Sequence, residues 1–243
     1  MKWPKPLQQG RLIKRYKRFL ADIVTDDGRL LTLHCANTGS MRNCGEEGSK
    51  VWFWDSEDPR RKLPCTWELV ETAPGEVACI NTQRANRLVE EAVIAGDIPT
   101  LSGYRQVRRE VKYGHENSRI DLLLQDGAQA DCFIEVKSVT LKEGGLGYFP
   151  DAVSVRASKH LRELAAMVEE GKRAVIFFCV CHSGIDSVTP AWHIDPDYAR
   201  LLLEVAEQGV EVLAWQVAFS EEGMQLHKEL PVLLMAPISR PAR

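Results

Sequence analysis

No stretch of the 243-residue chain is apolar for long enough to cross a bilayer. The longest run, Ala174 to Cys181, falls well short, and the N-terminus has no apolar leader-like segment. A membrane protein is therefore not expected; a cytoplasmic one is. A net positive charge is also missing: the formal charge is -3. No global field draws the chain to nucleic acid, so any such binding must come from local basic patches. The seven cysteines, at 35, 44, 65, 79, 132, 179 and 181, form no CxxC pair and are odd in number. That argues against a disulfide framework or a zinc site and for free thiols in a reducing compartment. Cys179, Cys181 and His182 alternate along an apolar strand and read as core packing rather than as ligands. A Walker loop, internal repeats and low-complexity runs are absent too.

What is present is organised around residues 119–141, RIDLLLQDGAQADCFIEVKSVTL. Ile120 to Gln125 reads as a buried strand, Asp126-Gly127 as a turn and Cys132 to Val139 as a second strand, a β-hairpin. Its charges sit awkwardly. Asp121 lies among apolar neighbours, and Glu135 and Lys137, two apart, share one strand face. Burying these charges without partners is costly. Either the face is solvated, or a divalent cation is held by Asp121, Glu135 and a strand carbonyl, with Lys137 beside it to meet an anion. An acidic residue followed by E-x-K on a strand resembles the PD-(D/E)XK nuclease superfamily.

Before the hairpin, Lys2, Lys5, Arg11, Lys14, Arg15, Lys17 and Arg18 crowd residues 1–20 with no acidic residue among them. Interleaved with apolar residues, they read as a strand presenting cations outward. This suits a phosphate backbone, or equally a solubilising edge strand. Short β patterns follow at 18–24, 29–35, 50–54, 65–71 and 77–81, separated by turn residues, which is the size of an OB-fold barrel. Trp52, Phe53, Trp54 and Trp67 are core candidates first and base-stacking candidates second. Asn37 to Ser40, with Gly45 and Gly48, form a polar loop able to offer backbone N–H groups to a phosphate.

At residue 82 the texture becomes helical, with apolar residues at Ala85, Leu88, Val89, Ala92 and Val93 and a stop at Gly96. The domain boundary is placed here, giving a β-barrel domain over 1–81 and an α/β domain over 82–243. Glu90 and Glu91 both lie off the apolar face of this helix. A strand over 103–114, the hairpin, a glycine-rich loop at 142–147, a helix over 155–170, a strand at 174–180, a polar loop at 182–190, a helix at 196–207 and a strand at 210–218 complete a mixed-sheet α/β core. Arg156, Lys159 and His160 fall in the first turns of the second helix, where Asp151 or Ser154 could cap it and where backbone and cations together favour anions.

The stretches RLIKRYKRFLADIVT, INTQRANRLVEEA, SRIDLLLQ, CFIEVKSVTL and GYFPDAVSVRASKHLREL resemble the sugar fermentation stimulation protein A family, over nearly the whole chain. The resemblance implies an OB-fold joined to a PD-(D/E)XK nuclease-like domain, non-specific DNA binding, and a regulatory role in sugar, notably maltose, metabolism. It places the site motif on Asp121, Glu135 and Lys137 and favours Glu91 over Glu90 as the helix carboxylate. Expected metal ligands are therefore Asp121, Glu135 and Glu91, for Mg²⁺ or Mn²⁺. Expected DNA contacts, made mainly to the phosphate backbone, are Arg11, Lys14, Arg15, Lys17, Arg18, Arg156, Lys159 and His160. Two functions remain open, DNA binding alone or metal-dependent cleavage of DNA or RNA. Oligomeric state is open as well, a homodimer included.

Overall fold

Six strands open the computed structural model, which describes residues 1–116 and 118–235: β1 (Gln8–Tyr16), β2 (Leu20–Thr25), β3 (Leu30–Cys35), β4 (Lys50–Asp55), β5 (Cys65–Ala73) and β6 (Glu76–Cys79). Alternating burial along β2 and β4 sends Ala21, Ile23, Val51 and Phe53 inward, where they meet Leu12, Leu33 and the fully buried Trp67. The strands pair in the order β3-β2-β1-β4-β5-β6, and a parallel contact of β3 with β5 (His34↔Thr66, Cys35↔Trp67) closes the ring. This is a five-strand closed barrel of OB type. Gly10 is required at one seam, because a Cβ there would lie 2.8 Å from Ile23 Cδ1 and 2.9 Å from Val24 O.

The second half is a mixed sheet with helices on both faces. Its elements are α1 (Gln83–Ala95), β7 (Tyr104–Tyr113), β8 (Ser118–Gly127), β9 (Cys132–Val139), β10 (Leu141–Glu143), β11 (Leu146–Phe149), α2 (Val155–Glu169), β12 (Arg173–Val180), β13 (Ser187–Pro190), α3 (Pro196–Glu207), β14 (Glu211–Phe219) and β15 (Met224–Glu229). The main sheet runs β15-β14-β12-β9-β8-β7, with β12 parallel to β9 and β14 and the other pairs antiparallel. One face packs on α1 through Ala85, Leu88, Val89 and Ala92; the other packs on α2 and α3 through Leu161, Leu164, Tyr198 and Leu202. A mixed α/β domain follows the barrel, as the periodicities along the chain implied. All seven cysteines are buried and unpaired. His182 is bound by Thr72 Oγ1 at 2.9 Å and by the Gly184 N–H at 3.0 Å, the environment of a core residue.

Local boundaries differ from expectation in four places. The strand expected through residues 18–24 begins at Leu20, because Lys17 and Arg18 form the β1–β2 turn with φ of 49° and 66°. The hairpin reverses after Gly127 rather than at Asp126-Gly127, since Gly127 still pairs with Tyr104. The 142–147 loop belongs to the β10–β11 hairpin, and the 182–190 loop contains β13, which pairs in parallel with β11. Strands of three or four residues carry too little period to be read from sequence. Residues 236–243, counted with the second domain above, lie outside the described residues. No helix among the described residues is long and apolar enough to cross a membrane.

Barrel and sheet are joined through a buried carboxylate. Glu68 on β5 is fully buried and accepts hydrogen bonds from Arg84 of α1 (2.5 and 3.1 Å), Asn81 (3.1 Å to each oxygen) and Trp54 Nε1 (2.7 Å). The N-terminus crosses back as well: Met1 donates to Met224 O at 2.9 Å, and Trp3 Nε1 to Ser220 O at 3.0 Å. Removing one partner of a buried ion pair strands the other charge. Arg84→Ala is therefore expected to lower the unfolding free energy in urea by about 3–5 kcal/mol. The double variant Glu68→Gln/Arg84→Met should recover part of that loss, and an unchanged midpoint in the single variant would show that Glu68 is hydrated.

Candidate functional site

The site starts from strand register. In the β8–β9 pair Leu122 faces Ile134 and Leu123 faces Phe133, and the ladder ends there, one residue before Asp121 on β8 and Glu135 on β9. Asp121 Oδ2 accepts the Val136 backbone N–H at 2.8 Å, and Asp121 Oδ1 accepts Asn86 Nδ2 of α1 at 2.7 Å. Glu135 is almost wholly buried. Its Oε1 receives Lys137 Nζ at 2.6 Å and a short contact from His160 Nδ1 of α2. Its other oxygen, Oε2, is buried with no hydrogen-bond partner among the described residues. The hydroxyls of Tyr113 and Tyr198 are likewise buried without partners, and burial together with the nearby Glu135 charge pushes both phenols upward in pKa.

The two carboxylates are driven apart in acidity. Burial, then the Glu135 charge, pushes Asp121 up to about 6 from an ordinary 3.8, against the Val136 N–H, Lys137 and Asn86. For Glu135 burial acts in the same direction, but the His160 hydrogen bond and the charges of Lys137 and His160 together outweigh it and hold the group below the usual range. Two neighbouring carboxyls thus differ in acidity because their surroundings differ.

Three of the expected site residues, Asp121, Glu135 and Lys137, come together. Glu91 does not join them. Five residues beyond Asn86 on α1, it turns toward the N-terminus, where Met1 N lies 3.0 Å away and Arg87 Nε 2.9 Å away. Glu90 is instead 3.4 Å from Arg109 of β7. A helix turns about 100° per residue, so the position that contacts Asp121 is Asn86, a residue type that sequence reasoning about carboxylates passes over. No cluster of three His, Cys, Asp or Glu side chains arranged to hold a metal occurs among the described residues.

The eight cationic candidates divide. Arg15 is turned inward, donating to the carbonyls of Arg18 (2.9 Å), Asn37 (2.9 Å) and Gly39 (3.0 Å). His160 is buried against Glu135, and Lys159 donates to the carbonyl of Glu116. Arg11, Lys14, Lys17, Arg18 and Arg156 face solvent. Lys14 sits over the Tyr16 ring and 3.7 Å from Asp22, and Arg11 reaches Gly48 O at 3.2 Å. Ser154 rather than Asp151 caps α2, accepting the Ala157 N–H at 3.1 Å. One partner was invisible in sequence: Glu163 of α2 is buried and accepts the backbone N–H groups of His115 (2.9 Å) and Glu116 (2.6 Å). Gly114 has to be glycine there, with φ of 66° and a notional Cβ 1.4 Å from Glu163 Oε2.

A cleft of about 440 Å³ opens over Lys137 between the two halves of the chain. Its walls are the barrel loop Asn37–Gly39, Thr82 to Asn86 at the start of α1, β9 with the start of β10, and the β11–α2 connection with Arg156.

Known proteins place the arrangement in context. The profile of the sugar fermentation stimulation protein RE domain matches residues 83–223, and that of the SfsA N-terminal OB domain matches 13–80. A sugar fermentation stimulation protein homolog from Pseudomonas paraeruginosa is 58% identical over 236 residues, 96% of this chain and 100% of its own. The structure of Pyrococcus furiosus SfsA in complex with Ca²⁺ superposes with a TM-score of 0.85 at 28% identity, covering 96% of this chain and 98% of that one.

The raised pKa of Asp121 has a measurable sign in the metal-free protein. The folded chain holds this proton more tightly than the unfolded chain, so the group's stabilising contribution is full below about pH 4 and is lost as pH rises through 6. His182, pushed down from 6.5 to about 4 by burial, runs the other way, destabilising as pH falls through that window. The difference between wild type and Asp121→Asn removes the His182 contribution. In urea titrations with chelator that difference should shift against the wild type by up to ~3 kcal/mol between pH 4 and 7; a difference independent of pH would mean that Asp121 titrates as it does in water.

Proposed function

The chain belongs to the sugar fermentation stimulation protein family, and from that premise we propose that it binds nucleic acid through the phosphate backbone, without sequence readout, and hydrolyses phosphodiester bonds in the cleft between its two domains, residues 1–81 and 82–243. The observation that carries this reading is the cluster of Asp121, Glu135 and Lys137, of which Lys137 lines that cleft while Asp121 and Glu135 lie behind it, tied to Val136 and Lys137 of the cleft wall. A divalent cation fits the donor set. Glu135 Oε2 is buried and unpartnered, Asp121 is bonded to Val136, the next residue along β9, and both carboxylates offer the hard oxygen atoms that Mg²⁺, Mn²⁺ and Ca²⁺ prefer. The Ca²⁺ complex of the Pyrococcus furiosus relative supports the same class of ion.

Asp121 and Glu135 would hold the ion, without Glu91. When bound, such an ion supplies Lewis acidity to a phosphoryl oxygen and lowers the pKa of a bound water. The chain's own residues do the rest. Asn86 and the Val136 N–H fix the Asp121 carboxylate, His160 fixes that of Glu135, and the Lys137 ammonium stands ready for the charge that builds on the phosphate in the transition state. Arg156 on the cleft wall and the exposed Arg11, Lys14, Lys17 and Arg18 would hold phosphates further along the strand. The site would act in the cytoplasm, and any effect on sugar metabolism would lie downstream of it.

Binding without cleavage is the second reading. It is favoured by Lys137 and His160, already gathered on Glu135 Oε1, which leave that oxygen partnered without a metal. Labelled DNA incubated with Mg²⁺, with Mn²⁺ or with chelator, read for binding and cutting in the same samples, separates the two. Cutting should require the metal and fall about 10²-fold or more in Asp121→Ala and Lys137→Ala, with affinity nearly kept. Binding that persists with no cutting under any metal leaves the second reading. In either case affinity should drop steeply with salt, and a flat salt response would remove the phosphate-backbone interface.

A further inference from the structure

The barrel does more than stand beside the sheet. The loop between β3 and β4 leaves the barrel and is tied onto the second domain around the cleft. Ser40 Oγ donates to Asp151, with 2.7 Å to Oδ2 and 3.1 Å to the backbone carbonyl, on the connection that leads into α2. Asn43 Nδ2 donates to the Lys142 carbonyl of β10 at 3.1 Å. The loop is stiffened from its own side. Arg15 bonds the carbonyls of Asn37 and Gly39, and the buried Asn37 side chain accepts the Gly39 N–H at 2.7 Å. Left-handed backbone at Met41 (φ 50°) and Asn43 (φ 61°) bends it between the two anchors.

The consequence is a cleft walled on one side by the barrel loop, through Asn37, Thr38 and Gly39. A volume of about 440 Å³ corresponds to a cube roughly 8 Å on edge, whereas the major groove of a duplex alone is about 12 Å across. A space of that order matches one nucleotide unit better than a stacked base pair. The lining suits a single unstacked strand, with Lys137 and Arg156 for phosphate, the hydroxyl of Thr82 for sugar or base edges, and the rings of Tyr148 and Phe149 as apolar surface.

We infer that the cleft admits one strand at a time, so that the substrate is single-stranded nucleic acid, DNA or RNA, and that the Ser40–Asn43 strap excludes intact duplex. This rests on the reading of the cleft as a nucleic-acid site, and the experiment keeps the two separable. Equal-length labelled single-stranded DNA, single-stranded RNA and blunt duplex DNA are presented to the full-length protein, to Asp121→Ala and to the strap variant Ser40→Ala/Asn43→Ala. Binding and cutting are recorded separately. Single strands should bind, and be cut, at least about ten-fold better than the duplex, the DNA and RNA arms showing which sugar is preferred. In the strap variant the ratio should narrow because the duplex gains, while single strands keep their affinity; general damage to the fold would lower both. Blunt duplex bound as tightly as single strands, or a ratio unmoved by opening the strap, overturns the inference even where cutting is observed. A single-strand preference in binding with no cutting under any metal sustains the strap while removing the hydrolytic reading. Failure to bind any of the three removes both.

Discussion

The antiparallel register of β8 on β9 is the constraint on which the rest of the site depends. Leu122, Leu123 and Leu124 face Ile134, Phe133 and Cys132, and this apolar ladder brings Asp121, one step beyond its end, within reach of the Val136 N–H beside Glu135. Side chains alternate with a period of two, so a slip by one residue would exchange the residues that face α1 with those that face α2 and break the Asp121–Val136 bond. The hydrophobic pairs therefore specify the polar site indirectly. They are buried on both faces, by α1 on one side and by α2 on the other, and the register has no low-energy alternative.

Once that register is set, both carboxylates need company from outside the hairpin, and each finds it on a different helix. Asn86 reaches Asp121 from α1; His160 reaches Glu135 from α2. The sheet is thus clamped at its most polar point by the layers above and below it. Burial raises the pKa of both groups. Because Glu135 also has the His160 hydrogen bond and the Lys137 ammonium on it, while Asp121 has mainly neutral donors, their acidities separate.

The two halves of the chain are joined by polar contacts of the same kind. Glu68, removed from water, is satisfied by Arg84, Asn81 and Trp54, and the partly exposed Lys142 closes on Glu76 at 2.7 Å. Such contacts lose much of their strength when either side moves, so they fix the barrel's orientation more sharply than apolar packing would. That orientation carries the β3–β4 loop to the edge of the cleft.

Much of this was legible in the chain itself. Alternation along 20–25, 50–55 and 132–139, turn residues between short strands, and the 3.6-residue period from Ala85 to Val93 are local properties, and they determined the barrel, the hairpin and α1. The E-x-K spacing placed Glu135 and Lys137 on one strand face for the same reason. What only the tertiary structure decided is which way each helix and loop turns. It faces Asn86 rather than Glu91 toward Asp121, withdraws Arg15 and His160 from solvent into internal bonds, and adds β13 to β11. These outcomes depend on contacts between residues 22 to more than 40 positions apart, with no period or spacing to announce them. A helix wheel gives the angle between two side chains, but the packing of the whole layer sets the rotation at which the helix docks.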